Sequence, residues 1–347
     1  MATVKIKIFY VMILIIPFLS CDEEREQTEE IIPTQYKIIY HPINNLSIFN
    51  SSKDTTKYIF NYRDQIFGQN NVYFRNGNFS PDGQKFIFEA DIQYGRNGGS
   101  REMNDIYIYH TELDSFKNLT RDGYRQSYPS FSNNGEKIVY ISNETGNDEV
   151  FIMNMDGDSK RMVTNNNLNS IKKYPKFLND GKRILFQSHG KNSYKFYSTS
   201  IDDIGLNNIF ETKERIYNCI ILQDETHFIF NDLKAIYKVN INTKNIEIFI
   251  REKDVLHMTL SPDNNFIAYK TFYNDYGALV DISSNNFNEQ KIDIQISRLQ
   301  FANDNNTIIY SWSNLISVYD IKKGTTTSLI QTTDVSRLRL FWGYTMK

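Results

Sequence analysis

The stretch FSPDGQKFIF at residues 79–88 decides the fold, because it joins a tight turn to the start of a strand. Pro, Asp and Gly favour the turn, and the β-branched and aromatic residues that follow favour a strand. A second copy, FSNNGEKIVY, begins at Phe131. Weaker copies begin at four further apolar residues, Phe177, Ile221, Leu260 and Phe301. The sequence is therefore built on a repeat, and we call the first residue of each copy its anchor.

The spacing of the anchors indicates the architecture. Successive anchors lie 52, 46, 44, 39 and 41 residues apart, a length typical of one four-stranded blade of a β-propeller. Each anchor closes a predicted strand a, and the segments between anchors contain short apolar runs that predict strands b, c and d. Almost no segment shows helical spacing. The predicted fold class is all-β, a propeller of four-stranded blades.

The two ends of the chain determine the number of blades. Residues 37–41, 46–51 and 57–62 predict strands b, c and d without a preceding strand a. The stretch VSRLRL at 335–340 resembles ISRLQF at 296–301 and predicts a lone strand a with Leu340 as its anchor. One plus three strands make a seventh blade, which leaves no open sheet edge. The alternative is a six-bladed ring with loose amino-terminal strands.

Several motifs resemble the repeat of TolB-type β-propellers. In the first copy they are FSPDGQKFIF, NDIYIY at 104–109 and NLT at 118–120; in the second, YPSFSNNGEKIVYIS at 128–142 and GNDEVFIMNMDG at 146–157. The resemblance is strongest over residues 70–200. It implies a propeller fold. The family's own propeller has six blades and a preceding small domain, for which this chain has no room.

The first 34 residues are predicted to be a targeting segment and a tether rather than a part of the propeller. Residues 1–20 combine two lysines with an apolar run that is too short to span a bilayer, which predicts a signal peptide. The sequence FLSC at 18–21 resembles a bacterial lipobox, so Cys21 is the predicted lipidation site. Residues 21–34 form a predicted polar tether, and residues 35–347 the propeller. The predicted location is the outer membrane, on its periplasmic face or at the cell surface. An ordinary signal peptide with a chance cysteine is the alternative.

Composition limits the partners. The 39 basic and 41 acidic residues give a formal charge of −2, which disfavours a nucleic-acid partner. Two cysteines exclude a disulfide scaffold and a cysteine-rich zinc site. We expect no cofactor and no metal, because the five histidines are scattered and no nucleophile elbow, HExxH motif or P-loop is present. The expected partners are the membrane, through the lipid, and an anionic glycan, a peptide or a protein.

The predicted ligand site is the mouth of the axial channel, which strand a lines. Because side chains alternate along a strand, positions −3 and −1 relative to each anchor should face this funnel. They hold four cations and no carboxylate. The candidate binding residues are Asn76, Tyr128, Tyr174, Lys176, Asn218, His257, Arg298, Arg337 and Arg339. The positions at −2, including Pro129, Pro175 and Cys219, should pack between blades.

Two functions fit this pattern. The first is a binding or scaffold module whose cationic funnel takes an anionic group, since arginine grips oxyanions through paired hydrogen bonds. The alternative is a polysaccharide-processing enzyme, because propellers related to TolB include lyases of uronic-acid sugars. Those enzymes use a metal held by several histidines, a cluster that the sequence does not show. No catalytic residue is predicted.

Overall fold

A computed structural model of the chain describes residues 35–40, 45–51, 55–61, 71–93, 104–164, 170–203, 205–224, 226–251, 254–272, 276–282, 288–331 and 341–346. The chain divides after Pro33 into two units, and all of these residues belong to the second, residues 34–347. The predicted signal peptide, tether and Cys21 lie outside the described residues, as does the loop 94–103. Among the described residues no helix has the length and apolar character needed to cross a membrane.

The described strands form seven four-stranded antiparallel sheets, which we number as blades 1 to 7. Blade 1 contains β1 (Gln35–Tyr40), β2 (Asn45–Asn50), β3 (Thr55–Asn61) and β28 (Phe341–Met346). Blade 2 contains β4 (Asn71–Phe79), β5 (Lys85–Gln93), β6 (Asn104–His110) and β7 (Ser115–Asn118). Blade 3 contains β8 (Gln126–Phe131), β9 (Lys137–Ser142), β10 (Glu149–Asn154) and β11 (Arg161–Met162).

The remaining blades follow in chain order. Blade 4 contains β12 (Ile171–Phe177), β13 (Arg183–His189), β14 (Tyr194–Ser200) and β15 (Asn207–Thr212). Blade 5 contains β16 (Asn218–Ile221), β17 (His227–Asn231), β18 (Ile236–Asn240) and β19 (Ile246–Ile250). Blade 6 contains β20 (Val255–Leu260), β21 (Phe266–Thr271), β22 (Tyr276–Asp281) and β23 (Asn288–Gln295). Blade 7 contains β24 (Arg298–Phe301), β25 (Thr307–Trp312), β26 (Leu315–Asp320) and β27 (Thr325–Gln331).

Blade 1 joins the two ends of the propeller. Its strand order is β28-β1-β2-β3, and β28 pairs with β1 from Phe341 opposite Tyr40 to Met346 opposite Gln35. This is the one-plus-three pairing that the ends of the sequence predict. The lone strand nevertheless begins at Phe341, whereas the sequence placed it before Leu340. The predicted position was wrong because this strand lacks the turn motif that indicates the register in the other blades.

The repeated motif builds the turn between strands a and b. The Ser80 hydroxyl donates to the Asp82 carboxylate (2.5 Å), and the backbone N–H of Lys85 donates back to the Ser80 oxygen (2.9 Å). Gly83 has φ +68°, which favours glycine. Ser261 and Asp263 repeat the arrangement in blade 6. These polar groups are therefore used within the turn.

Apolar residues fill the seams between neighbouring blades. Val139 and Ile141 of blade 3 pack with Phe177 and Ile184 of blade 4, for example, in one of seven such clusters. A buried aromatic residue stands nine positions after each of six anchors: Phe88, Tyr140, Phe186, Phe230, Tyr269 and Tyr310. The predicted packing role of the described anchors is confirmed, since each is buried or packs against such a cluster. Leu340 lies outside the described residues.

Candidate functional site

Three strands a carry the same irregularity at the same place. The pairing of strands a and b shifts between Arg75 and Gly77, between Ser127 and Ser130, and between Lys173 and Lys176. Such β-bulges place two residues of one strand opposite one of its partner and turn a side chain in a new direction.

The residue at position −3 is the strained one in each bulge. Asn76, Tyr128 and Tyr174 have φ values of 33°, 54° and 51°. A positive φ at a residue other than glycine costs roughly 1–3 kcal/mol and is concentrated at functional sites. The recurrence in three successive blades marks this end of the propeller as the candidate site.

A cavity of about 260 Å³ opens at these bulges, and we call it the funnel cavity. It is lined by Asn76, Gly77, Asn78, Tyr128, Pro129, Ser130, Tyr174, Pro175, Lys176 and Arg298. Five of the candidate residues from the sequence thus line one space. Pro129 and Pro175, which the sequence assigned to the seams, are buried and also line it. The bulge explains this difference, because it interrupts the alternation on which the assignment depended.

Two tyrosines form one wall of the funnel cavity. The ring centroids of Tyr128 and Tyr174 are 4.5 Å apart, with the planes tilted by 60°. Burial raises the pKa of both hydroxyls. Tyr174 remains 40% exposed. The pair therefore offers one accessible aromatic face rather than two.

Two cations, Lys176 and Arg298, also line the funnel cavity. Lys176 is exposed and Arg298 is half-buried. Burial lowers the pKa of the Arg298 guanidinium, which still remains charged at neutral pH. In the part of the chain that the structure describes, neither side chain makes an ion pair or a hydrogen bond. Both charges are thus available to a ligand.

A carboxyl group that the sequence analysis missed stands behind the bulges. Glu89 is 2% exposed and accepts hydrogen bonds from the side-chain amides of Asn76 (2.7 Å) and Asn104 (2.9 Å) and from the Tyr128 backbone N–H (3.3 Å). Burial raises the pKa of Glu89, and hydrogen bonds and nearby arginines oppose this.

The position of Glu89 relative to its anchor could have identified it from the sequence. The position ten residues after an anchor is a buried polar residue in five blades: Glu89, Gln187, Asn231, Lys270 and Ser311. It lies opposite the candidate residue at −3 in blades 5, 6 and 7. This column lies on strand b, whereas the alternation of side chains predicted funnel residues on strand a alone.

Two candidates lie beside the funnel cavity but outside its lining. Asn218 donates both amide protons within the protein, to Asn231 Oδ1 (2.8 Å) and to the Leu256 carbonyl (3.0 Å), so it links blades 5 and 6. His257 is half-buried. Burial, with Arg298 and Lys270 nearby, lowers the pKa of His257 to about 4, which leaves the ring neutral at pH 7.

The other assignments divide into two groups. Arg337 and Arg339 fall in residues 332–340, outside the described part of the chain, so their assignment to the funnel stays a prediction. Cys219 packs half-buried against the seam of blades 4 and 5, and burial raises the pKa of its thiol to about 12. That is consistent with an inert packing residue.

A comparison with known protein families identifies the family of this chain. The family model of the TolB beta propeller domain matches residues 78–306. The chain belongs to the TolB beta propeller family. The match includes the Phe79 and Phe131 repeats and extends through the degenerate repeats to the turn after Phe301. Among curated proteins no sequence matches significantly.

Solved structures show the same fold at low sequence identity. An oligogalacturonate lyase in complex with manganese matches with a TM-score of 0.64 and 10% identity, over 87% of this chain and 85% of that one. An oligogalacturonate lyase from Vibrio parahaemolyticus matches with a TM-score of 0.63 and 11% identity, over 86% and 85%. TolB from Acinetobacter baumannii matches with a TM-score of 0.50 and 16% identity, over 74% and 63%. These likenesses extend to the fold alone.

The manganese of the first of these structures has no counterpart in side chains described here. Among the described residues no three or more His, Cys, Asp or Glu side chains are grouped so as to hold a metal ion. Those residues of this TolB-family chain therefore do not fit a metal centre.

Proposed function

We propose that this TolB-family chain is a binding module that recognises an anionic group of its ligand in the funnel cavity. The observation that carries the proposal is the convergence of Arg298 and Lys176 on one cavity without a carboxylate partner among the described residues. A guanidinium in a partly desolvated wall attracts an oxyanion more strongly than it would in water.

The rest of the lining supports selectivity for a ligand that also has a flat or hydroxylated part. The exposed face of Tyr174 suits packing against a sugar ring or an aliphatic segment. The bulges hold Asn76, Tyr128 and Tyr174 in fixed positions, which lowers the ordering cost of binding. We propose an acidic glycan, an acidic peptide or an acidic partner surface as the ligand. We also propose that lipidation at Cys21 anchors the protein to the outer membrane.

Variants at the two cations test the proposal. Binding to acidic and neutral oligosaccharides and peptides is measured by calorimetry at two salt concentrations. Arg298→Ala should weaken binding of the acidic ligand by ~10-fold or more, because a hydrogen bond to a charged group contributes roughly 1.5–3 kcal/mol. Lys176→Ala should cause a smaller loss and reduce the salt dependence, because its charge is exposed and screened.

The matched controls are Arg161→Ala and Lys322→Ala, which remove exposed cations from the outer strand β11 and from a peripheral turn. They should leave the affinity unchanged. Equal losses in controls and funnel variants, or an Arg298→Ala protein with unaltered affinity for every acidic ligand bound, would refute the proposal.

A second candidate, a lyase acting on acidic polysaccharide, is supported by the fold shared with two oligogalacturonate lyases and by the buried carboxyl group of Glu89. Such an elimination needs a base that removes the proton next to a carboxylate while the bond to the leaving oxygen breaks. Incubation with oligogalacturonate, followed by absorbance of the unsaturated product, separates the candidates. Turnover abolished by Glu89→Gln would favour the lyase; binding without turnover favours the binding module.

A further inference from the structure

Four polar residues of blades 6 and 7 meet next to the funnel cavity. His257 lies opposite Lys270 in the pairing of β20 with β21, and Arg298 lies opposite Ser311 in the pairing of β24 with β25. Opposite residues of an antiparallel pair share one face of the sheet. The two blades are joined directly, because the Thr259 hydroxyl accepts the backbone N–H of Phe301 at 3.0 Å. The four side chains therefore belong to one neighbourhood.

The cations of this neighbourhood are held in place with little solvent. Lys270 is 7% exposed and donates at 2.5 Å to the carbonyl of Ile296, which lies in the connection between β23 and β24. Arg298 is half-buried and, among the described residues, has no ion-pair partner. For Arg298, a partly desolvated positive charge without a counter-ion among the described residues is costly. A bound anion would remove that cost.

Ser311 supplies an independent sign of a missing group. Its side chain is 1% exposed, and its hydroxyl has no hydrogen-bond partner in the described part of the chain. A buried hydroxyl without a partner costs roughly 1–3 kcal/mol. Because Ser311 stands opposite Arg298 on the same face of the sheet, a single ligand oxyanion can accept from both the hydroxyl and the guanidinium.

His257 is the group of this neighbourhood that can take up a proton. The charged groups that act on it are Lys270 from β21 and Arg298 from β24, while β16 contributes the neutral amide of Asn218. Burial, and after it Arg298 and Lys270, lowers the pKa of His257 to about 4. An anion bound beside Arg298 would neutralise part of that field, so the imidazolium would become easier to form.

We propose that blades 6 and 7 form an oxyanion subsite, in which Arg298 and Ser311 bind a carboxylate, sulfate or phosphate group and His257 takes up a proton when the subsite is occupied. This inference rests on the proposed function and deepens it, since it locates the anionic end of the ligand and makes its affinity rise with acidity. By linkage, an anion that favours the protonated ring must bind more tightly to the protein when that ring is protonated.

The test uses the whole protein and sulfate, which keeps its charge between pH 3.5 and 8. The imidazole signal of His257 is followed by NMR over that range, in sulfate and in chloride of equal ionic strength, and is assigned by its loss in His257→Gln. We expect sulfate to raise the pKa of His257 by at least about one unit, a ~10-fold gain in proton affinity. The signal of His227, which lies beside Asp224 at the other end of its blade, serves as the internal control.

Variants and other anions complete the test. Ser311→Ala should weaken sulfate binding several-fold and Arg298→Ala should abolish it together with the response of His257. Acetate and phosphate in place of sulfate distinguish the preferred oxyanion. If sulfate binds in an Arg298-dependent way but the His257 titration stays unchanged, the subsite proposal is wrong and the proposed function stands. If no anion binds, or binding does not depend on Arg298, both are wrong.

Discussion

At the scale of single residues, Glu89 links the strained bulges to the stability of the protein. Its carboxylate accepts from the side chain of Asn76 and from the backbone of Tyr128, so it fixes two residues of the funnel cavity at once. The cost is a charge held in a buried place. Because of that cost, Glu89 lowers the free energy of unfolding as pH rises. A carboxylate that is stabilised in the folded state usually raises it.

The pH dependence follows from the pKa of Glu89, which burial raises above the ordinary glutamate value of 4.5. Between 4.5 and the higher value in the folded protein, the folded state binds more protons than the unfolded state. The contribution of Glu89 is therefore fully present below about pH 4.5 and is lost as pH rises through the folded value.

Glu89→Gln tests this directly. We expect the variant to gain stability relative to the wild type as pH rises from 4.5 to 7, as measured by urea unfolding at both values. Asn104, whose side-chain oxygen has no partner among the described residues, can turn to accept from the new amide. A constant difference in unfolding free energy between the two proteins across this range would contradict the assignment.

At the scale of strands, the seam between blades 3 and 4 contains a buried ion pair. Lys172 on β12 is fully buried and lies 3.1 Å from the Glu149 carboxylate on β10. Its ammonium also donates to the Asp148 carbonyl at 2.9 Å, and Glu149 accepts from the Thr164 hydroxyl. The pair connects two blades near the start of strand a, just before the Tyr174 bulge.

Lys172→Met should destabilise the protein by about 3–5 kcal/mol, because it leaves the Glu149 charge buried without a partner. Lys195→Met, which breaks the exposed pair with Glu211, is the control and should cost no more than about 1 kcal/mol. Replacing Lys172 and Glu149 together should recover part of the loss. Chemical unfolding of the four proteins measures these differences, and equal effects of the two single substitutions would show that burial of the pair is irrelevant.

An element can be predicted from the sequence only where its geometry requires particular residue types at particular positions. The turn after Phe79 and its copies could be predicted, because Ser, Asp and Gly serve needs of the turn itself. The bulges at Asn76, Tyr128 and Tyr174 could not, because a bulge changes backbone angles without changing the spacing of the anchors. Strict alternation therefore assigned Pro129 and Pro175 to a seam, although the bulge brings them to the funnel cavity.

At the scale of the whole molecule, the repeat gathers residues that are far apart in the chain. Asn76 in blade 2 and Arg298 in blade 7 line one cavity, and the sequence predicted both from their common position relative to an anchor. The same rule predicted Arg337 and Arg339 as funnel residues. Both fall in residues 332–340, outside the described part of the chain, so their place at the funnel stays a prediction.

The central claim is that the funnel cavity binds an anionic group, and a crystal structure of the protein grown in selenate tests it most directly. We predict an anomalous peak in the funnel cavity, with selenate oxygens within hydrogen-bonding distance of the Arg298 guanidinium. An empty cavity while selenate occupies other cationic surfaces, or a guanidinium already paired with a carboxylate of the protein, would contradict the claim.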